Sequence, residues 1–225
     1  QSGAGNSLYI RPFMFASEAC VQASPAKEYR IMIICAPVSS YYNSGEVRVK
    51  IADHFSRAPQ GGTGYAKAAG NYAGQFYPTQ LAIDEGYQQI IWTDAATHQY
   101  IEEAGTMNLF FYIGDKLITA PTSDSILDGV TRKSVIELAK DLGIEVETRQ
   151  LSVSELIESA KNNSLKEIFG SGTAVVVLPI HGFGYKEEDF QLTKSEDSIA
   201  LKLKSKLTSI QYNKTDDPYG WRVKV

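Results

Sequence analysis

Two apolar runs near the start of the chain have the residue pattern of β-strands. They are SLYIRPFMFA, residues 7–16, and EYRIMIICAPV, residues 28–38, and a turn-forming stretch separates them. We predict one strand at each run. The stretch IMIICAPV and the later AVVVLPI, residues 174–180, are far shorter than the roughly 20 residues of a membrane span, so we expect both to be buried strands.

From about residue 61 the pattern shifts between helical and strand periods, which predicts a mixed α and β (α+β) architecture. The clearest helix is RKSVIELAKDLG, residues 132–143, which ends at Gly143, a typical C-terminal cap. Its apolar positions recur at helical spacing: Val135, Leu138, Ala139 and Leu142.

Two more helices and a strand are predicted in the second half of the chain. IEVETRQ, residues 144–150, alternates as a strand does, and Ser152 with Glu155 forms a capping box for the helix VSELIESAK that follows. The last helix lies within residues 195–211. Its apolar stripe consists of Ile199, Leu203 and Leu207.

The segment SSYYNSGEV, residues 39–47, is rich in Ser, Asn and Gly between two apolar runs, as linkers are. Two strands cannot bury a core by themselves. We therefore predict a small N-terminal part at residues 1–40, a linker at 41–55 and a main domain at 56–225.

Composition and charge exclude several classes of partner. The chain has 22 basic against 26 acidic residues, so we expect no broad electropositive face for nucleic acid or an anionic membrane. Cys20 and Cys35 are too few for a disulfide framework, which favours a cytoplasmic location. The three histidines lack the spacing of metal ligands, so we predict no metal site.

The string GGTGYAKAAGNY, residues 61–72, places Lys67 among small residues. A Walker loop fails because Ala68, not Ser or Thr, follows the lysine, and the glycine spacing does not match a dinucleotide fingerprint. Small residues also let a flat ring approach the backbone. An aldehyde cofactor such as pyridoxal phosphate would bond to Lys67, and Tyr72 could contact its ring hydroxyl. A surface lysine on a flexible loop remains the alternative.

The string EEAGTMNLFFY, residues 102–112, supplies a carboxylate. Glu103 could keep a pyridinium nitrogen protonated, which the chemistry of this cofactor requires. We expect the neighbouring Glu102 to be solvated. Val130 and Thr131 lie where the first predicted helix begins, so their N–H groups could bind a phosphate, although for this stretch taken alone an ordinary helix cap is the better interpretation.

The string FGSGTAVVVLP, residues 169–179, holds a turn of small residues just before an apolar run. Such a turn presents unobstructed N–H groups to a phosphate or a carboxylate. It could also be only a tight turn.

Taken in this order, these stretches resemble the branched-chain amino acid aminotransferases, which belong to the fold-type-IV pyridoxal-phosphate enzymes. The matching strings are LYIRP, GGTGYAKAAGNY, EEAGTMNLFFY, LDGVTRKSV, FGSGTA and SKLTSIQY. The resemblance runs from about residue 8 to the C-terminus. It implies that residues 56–225 are the C-terminal cofactor-binding domain and that residues 1–40 are the last strands of an N-terminal small domain.

The resemblance also implies a role for each matching position. Lys67 matches the Schiff-base lysine, which also moves a proton between the substrate's α-carbon and the cofactor. Glu103 matches the carboxylate at the ring nitrogen, and Tyr72 matches the phenol at the ring oxygen. The remaining cofactor contacts implied are Arg57, Val130, Thr131 and Thr173. The substrate contacts implied are Tyr9, Arg11, Thr106, Thr173 and Ala174.

The implied activity is transamination between the branched-chain L-amino acids leucine, isoleucine and valine and 2-oxoglutarate, giving branched-chain 2-oxo acids and glutamate. Homodimerisation is expected, because this family builds its pocket with a loop from the neighbouring subunit. Two alternatives stay open: a fragment that folds without catalysing, and a D-amino acid aminotransferase or aminodeoxychorismate lyase of the same fold.

Overall fold

The computed structural model describes residues 6–38, 45–193, 195 and 197–224. The chain divides into two compact units, residues 1–45 and residues 46–225. Residues 41–44 of the predicted linker lie outside the described residues. The later part of that predicted linker contains a strand, Arg48–Ile51, which pairs within the sheet of the second unit.

The first unit contains an antiparallel pair of strands, β1 (Ser7–Ala16) and β2 (Tyr29–Val38), and both strands were predicted. The prediction that IMIICAPV is buried is wrong, because Ile31 and Ile33 are 73% and 65% exposed. A sheet of two strands has no second layer within its own unit, so its apolar side chains stay accessible.

Eleven strands among the described residues of the second unit form one mixed sheet. They are β3 (Arg48–Ile51), β4 (Gln89–Thr93), β5 (Tyr100–Ala104), β6 (Met107–Ile113), β7 (Lys116–Thr119), β8 (Glu145–Thr148), β9 (Leu151–Ser152), β10 (Leu165–Gly172), β11 (Val176–Ile180), β12 (Gly182–Tyr185) and β13 (Glu188–Gln191). The main order is β11-β10-β6-β5-β4-β3-β12-β13. Strand β7 also pairs with β6 and β8, and β9 pairs with β5. The pairs β3–β4, β3–β12 and β7–β8 are parallel, and the others are antiparallel.

Four helices accompany this sheet in the described part of the chain: α1 (Ala69–Asp84), α2 (Val130–Asp141), α3 (Val153–Lys161) and α4 (Ile199–Gln211). The predicted mixed α and β class is confirmed. The buried stripe of α2 contains Val135, Leu138 and Ala139 as predicted, whereas Leu142 is its C-terminal cap and is 42% exposed. Gly143 follows with a φ of 74°, which suits a helix-ending glycine.

The predicted capping box at α3 is half correct. The hydroxyl of Ser152 accepts a hydrogen bond from the Glu155 N–H at 3.0 Å. The Glu155 carboxylate does not return to Ser152, because it pairs with the Arg149 guanidinium at 2.6 Å. The strand predicted at 144–150 is β8, and the predicted stripe of α4 is buried.

The main core lies between the sheet and the helices α2 and α4. The rings of Phe110 and Phe169 stack with their centroids 5.0 Å apart, and Leu138 and Leu203 are fully buried beside them. The end of α1 packs through Ala82 against Trp92. Within the part of the chain that the structure describes, no helix is both long and apolar enough to cross a bilayer.

Candidate active site

A buried ion pair joins Glu103, on strand β5, to Arg57, on the segment before α1. Their Oε1 and Nη1 atoms are 2.9 Å apart, and both side chains are almost fully buried. The guanidinium also donates to the carbonyl of Ser125 at 2.8 Å and to that of Gly64 at 3.1 Å. Arg57 therefore ties the carboxylate to two loops that are far apart in sequence.

The second oxygen of Glu103 is held separately. It accepts from the Leu127 N–H at 3.1 Å and from the Asn108 side-chain amide at 3.3 Å. That same amide donates to the Leu127 carbonyl at 2.8 Å. The carboxylate is thus fixed at both oxygens by groups of the protein itself, which is the preorganisation that a catalytic contact needs.

Asn108 is a site residue that our sequence analysis missed. It lies directly opposite Glu103 in the hairpin of β5 and β6, with Gly105 and Thr106 between the two strands. Directly opposite residues of an antiparallel pair project from the same face. Asn108 could have been found from the Gly-Thr pair in EEAGTMN, because a two-residue turn at that pair places residues 103 and 108 opposite each other.

Burial raises the pKa of Glu103 to about 7, against the opposing effects of the Arg57 charge, the Leu127 N–H and the Lys67 charge. The neighbouring Glu102 adds a smaller upward effect. With Arg57 already in place, a further partner cation would favour the ionised form of this carboxyl group at neutral pH. A protonated ring nitrogen would be such a partner.

Glu102 was expected to be solvated, and this expectation is wrong. Its carboxylate is half-buried and accepts a hydrogen bond from the Ser125 hydroxyl. Burial raises its pKa. Because Ser125 also holds Arg57 through its carbonyl, Glu102 belongs to the outer part of the same polar network.

Lys67 lies two residues before α1 and its side chain is exposed. Its charge acts on the pKa of Glu103, so the two groups are within electrostatic range of each other. Tyr72 is half-buried in the first turn of α1. The structure therefore brings Lys67, Glu103 and Arg57 to one region, as expected of a site built around this lysine.

The N-terminus of α2 borders this region. Val130 and Thr131 are the first two helical residues, and no side chain caps the N-terminus. The cap residue is Gly129, where an added Cβ would lie 2.0 Å from the Asn108 Oδ1 atom. The helix end is thus packed against the residue that holds Glu103, with N–H groups available to an anion.

Two turns lie side by side beyond Asn108. Thr106 is in the β5–β6 turn, and Thr173 and Ala174 are in the β10–β11 turn. An added Cβ on Gly172 would be 3.3 Å from the Thr106 carbonyl oxygen. The structure therefore brings together three predicted substrate positions, and both threonines are exposed there.

Tyr9 and Arg11 both lie on β1, in the first unit. The Arg11 guanidinium donates to the Tyr9 hydroxyl at 2.6 Å and lies 5.0 Å from the centre of its ring. Their contribution to a substrate pocket stays a prediction.

The residues fit a cofactor that has an aldehyde, a ring nitrogen and a phosphate. Lys67 supplies an amine, Glu103 a fixed carboxylate, and α2 an N-terminus without a side-chain cap. The described residues include three buried polar side-chain atoms without a hydrogen-bond partner, and two of them, Arg57 Nε and Ser171 Oγ, belong to this region. Ser171 is opposite Asn108 in the sheet.

Comparison with known proteins decides the family. The family model described as amino-transferase class IV matches residues 1–183. The chain belongs to the class IV aminotransferases.

Within this family, the chain is 41% identical over 227 residues to a probable branched-chain-amino-acid aminotransferase of Staphylococcus epidermidis. The match covers 99% of this chain and 63% of that relative, so the chain spans less than two thirds of the relative's length.

Solved structures show the same fold. The branched-chain amino acid aminotransferase of Escherichia coli matches with a TM-score of 0.76 and 27% identity, over 95% of this chain and 69% of that one. An aminotransferase from Brucella abortus, bound to the cofactor PLP, matches with a TM-score of 0.72. It is 23% identical over 90% of this class IV aminotransferase and 68% of that chain, and supports the fold alone.

Proposed function

We propose that this chain carries the cofactor-binding part of an aminotransferase acting on branched-chain L-amino acids. It would exchange their amino group with 2-oxoglutarate, giving branched-chain 2-oxo acids and glutamate. The observation that carries the proposal is the buried Glu103 carboxylate, held at both oxygens and paired with Arg57, which also donates to the Gly64 carbonyl in the loop that carries Lys67. The 41% identity to a probable branched-chain-amino-acid aminotransferase supports the substrate class.

Pyridoxal phosphate, when bound, would act as an electron sink for negative charge that develops at the substrate's α-carbon. Lys67 would bond to its aldehyde at rest and would carry the proton that leaves the α-carbon. Glu103, whose ionised form the Arg57 charge favours, would hold a proton on the ring nitrogen. Tyr72 would donate to the ring oxygen.

Anionic groups would bind at the helix end and the turns. The N–H groups of Val130 and Thr131 would hold the phosphate together with Thr173. The turn of Thr173 and Ala174 would receive the substrate's carboxylate beside Thr106. We also propose Tyr9 and Arg11 as substrate contacts, as the family resemblance implies.

We also propose that the protein forms a homodimer through α1. The outward face of this helix is apolar, with Phe76 and Tyr77 exposed by 73% and 66% and Leu81 and Ile83 by 37% and 48%. Several large apolar side chains exposed on one helix are a feature of protein interfaces. The two free cysteines, Cys20 and Cys35, agree with the cytoplasmic location that we propose.

Titration with pyridoxal phosphate tests cofactor binding. We expect the wild type to develop a protein-bound absorbance band that Lys67→Ala lacks and that the surface variant Lys140→Ala retains. Absence of the band in wild-type protein under excess cofactor would contradict the proposal.

Substrate assays then separate the remaining alternatives. Glutamate formation from L-leucine and 2-oxoglutarate supports the proposed activity. Turnover of D-alanine instead would indicate a D-amino acid aminotransferase, and release of pyruvate from aminodeoxychorismate would indicate the lyase. A bound cofactor with no turnover of any of these substrates would leave a binding fragment.

A further inference from the structure

We propose that Asn71 is a positioning residue that fixes the backbone on which Lys67 is carried. The inference rests on the proposed role of Lys67, but the contacts behind it do not involve any ligand. It explains how a lysine in a loop of small residues can be held in one place.

The loop around Lys67 contributes little packing of its own. Five of the eight residues at 61–68 are glycine or alanine. Lys67 itself and Thr63 are exposed. Among the described residues, an added Cβ on Gly61 would meet no atom within 4 Å, whereas one on the buried Gly64 would lie 2.5 Å from the Ser125 Cα atom. Beyond the backbone contact at Gly64, side-chain burial contributes little to the conformation of this loop, so hydrogen bonds to its backbone largely define it.

The Asn71 side chain makes three hydrogen bonds to this loop. Its amide nitrogen donates to the carbonyl of Thr63 at 2.8 Å and to that of Ala66 at 3.0 Å. Its amide oxygen accepts from the Thr63 hydroxyl at 3.0 Å. The Ala66 carbonyl belongs to the peptide bond between Ala66 and Lys67. One of these hydrogen bonds therefore holds the peptide unit directly before the lysine.

The position of Asn71 in the helix argues against an ordinary cap. Asn71 is the third residue of α1, and the cap residue, Ala68, makes no side-chain cap hydrogen bond. The Asn71 donors reach back to carbonyls of the loop and so do not satisfy the free N–H groups of the helix end. A buried asparagine within a helix is unfavourable by propensity, which suggests that another requirement keeps it there.

Other buried residues of α1 also support a positioning role for Asn71. The first turns of the helix bury the polar Asn71 and Gln75 and its later turns bury the small apolar Pro78 and Ala82, whereas most large apolar side chains of the helix are exposed. The Gln75 amide donates to the Asn71 carbonyl at 2.8 Å. The Gln75 Oε1 atom would be 2.7 Å from a Cβ added on Gly105. A line of amides thus connects the Lys67 loop to the β5–β6 turn that holds Thr106.

Hydrogen–deuterium exchange tests the proposal without a cofactor. The Tyr65 amide donates to Asp124 and the Ala66 amide donates to Thr63, so both report opening of the loop. In Asn71→Asp a carboxylate oxygen would face the two carbonyls that now accept from the amide. We expect these two amides to exchange roughly ten- to a hundredfold faster, because two hydrogen bonds are lost.

Matched variants separate positioning from a general loss of stability. Thr63→Val removes a single hydrogen bond and should accelerate the exchange of the same amides less than Asn71→Asp does. Thr63→Ser keeps the hydroxyl and should resemble the wild type. Ser159→Ala removes a buried side-chain hydrogen bond on α3 and should leave these two amides unchanged. Unchanged exchange at residues 65–66 in Asn71→Asp would overturn the proposal.

A second readout links the loop to chemistry. Borohydride trapping of pyridoxal phosphate, followed by peptide mass analysis, gives the rate of bond formation at Lys67. We expect Asn71→Asp to slow this rate roughly tenfold and Thr63→Ser to retain it. Equal rates in Asn71→Asp and wild type would overturn the positioning role. If the wild type itself formed no bond, the proposed function would fail, while the exchange experiment would still decide the structural claim.

Discussion

At the scale of single residues, Glu103 shows two opposed effects on one carboxyl group. Removal from water favours the neutral acid, whereas the Arg57 guanidinium and the Leu127 N–H favour the carboxylate. The outcome is a pKa of about 7 for a carboxyl group with one oxygen in the ion pair with Arg57 and the other accepting two hydrogen bonds. Such a group can respond to a cation that arrives beside it.

This raised pKa predicts how the stability of the cofactor-free protein depends on pH. A carboxyl group whose folded pKa lies above its ordinary 4.5 stabilises the fold at low pH, and the contribution is lost as pH rises through about 7. We expect wild type to lose more stability than Glu103→Gln between about pH 5 and about pH 8. Urea unfolding of both proteins measures this difference.

Glu137→Gln is a suitable control, because Glu137 lies on the surface of α2 in an exposed pair with Lys140. It should keep the wild-type dependence on pH. Parallel pH profiles for wild type and Glu103→Gln would show that Glu103 is already ionised in the free protein.

At the scale of elements, the N-terminus of α2 is coupled to the sheet through Gly129 and Asn108. A methyl group on Gly129 would overlap the Asn108 amide oxygen. The amide cannot move aside without giving up its bonds to Glu103 and to the Leu127 carbonyl. The helix end and the carboxylate therefore form one assembly.

This coupling predicts that Gly129→Ala weakens cofactor binding and destabilises the fold by about 1–3 kcal/mol, because a buried polar group loses its partner. Fluorescence titration with pyridoxal phosphate and urea unfolding measure the two effects. Gly74→Ala in α1 is the matched control: the site is open, and a helical alanine should stabilise by about 0.5–1 kcal/mol. Equal stability and equal cofactor affinity of the two variants would contradict the coupling between the α2 N-terminus and Asn108.

The outward face of α1 makes a separate prediction about assembly. Phe76→Lys places a charge on the exposed apolar face and should convert the proposed dimer to a monomer in sedimentation velocity. Leu201→Lys changes an exposed apolar residue on α4 in the same way and should leave the assembly state unchanged. A monomeric wild type, or a dimer that survives Phe76→Lys, would contradict the interface.

Several elements could be predicted from the local residue pattern. The wrong predictions concern features that depend on residues elsewhere in the chain. The strands β1 and β8 and the buried stripes of α2 and α4 follow from periodicity alone. The exposure of β2 depends on how many strands the first unit contains, which a local run cannot encode. The half-buried state of Glu102 depends on Ser125, more than twenty residues away.

In the candidate site, too, some residues could be predicted from the sequence and others could not. Motif strings led to Lys67 and Glu103, but the Asn71 and Asn108 contacts join side chains to backbone groups that have no sequence pattern. The first turns of α1 bury the polar Asn71 and Gln75, while several large apolar side chains of the helix are exposed, so periodicity does not identify its inward face. Hydrogen bonds of these two amides fix the orientation of the first turns.

At the scale of the whole molecule, the second unit places one row of polar residues across three strands. Glu103, Asn108 and Ser171 are neighbours in register on β5, β6 and β10. The loop that carries Lys67, the N-terminus of α2 and the β10–β11 turn all belong to this unit. The second unit therefore contains every proposed cofactor contact, whereas Tyr9 and Arg11 come from the first.

The central claim is that this chain holds pyridoxal phosphate through Lys67. The most direct measurement is borohydride reduction of the protein–cofactor mixture, followed by intact-mass and peptide-mass analysis. The account predicts one cofactor per chain, located on the peptide containing Lys67 and absent in Lys67→Ala. Label spread over surface lysines, or a single label on another residue with Lys67 unmodified, would contradict it.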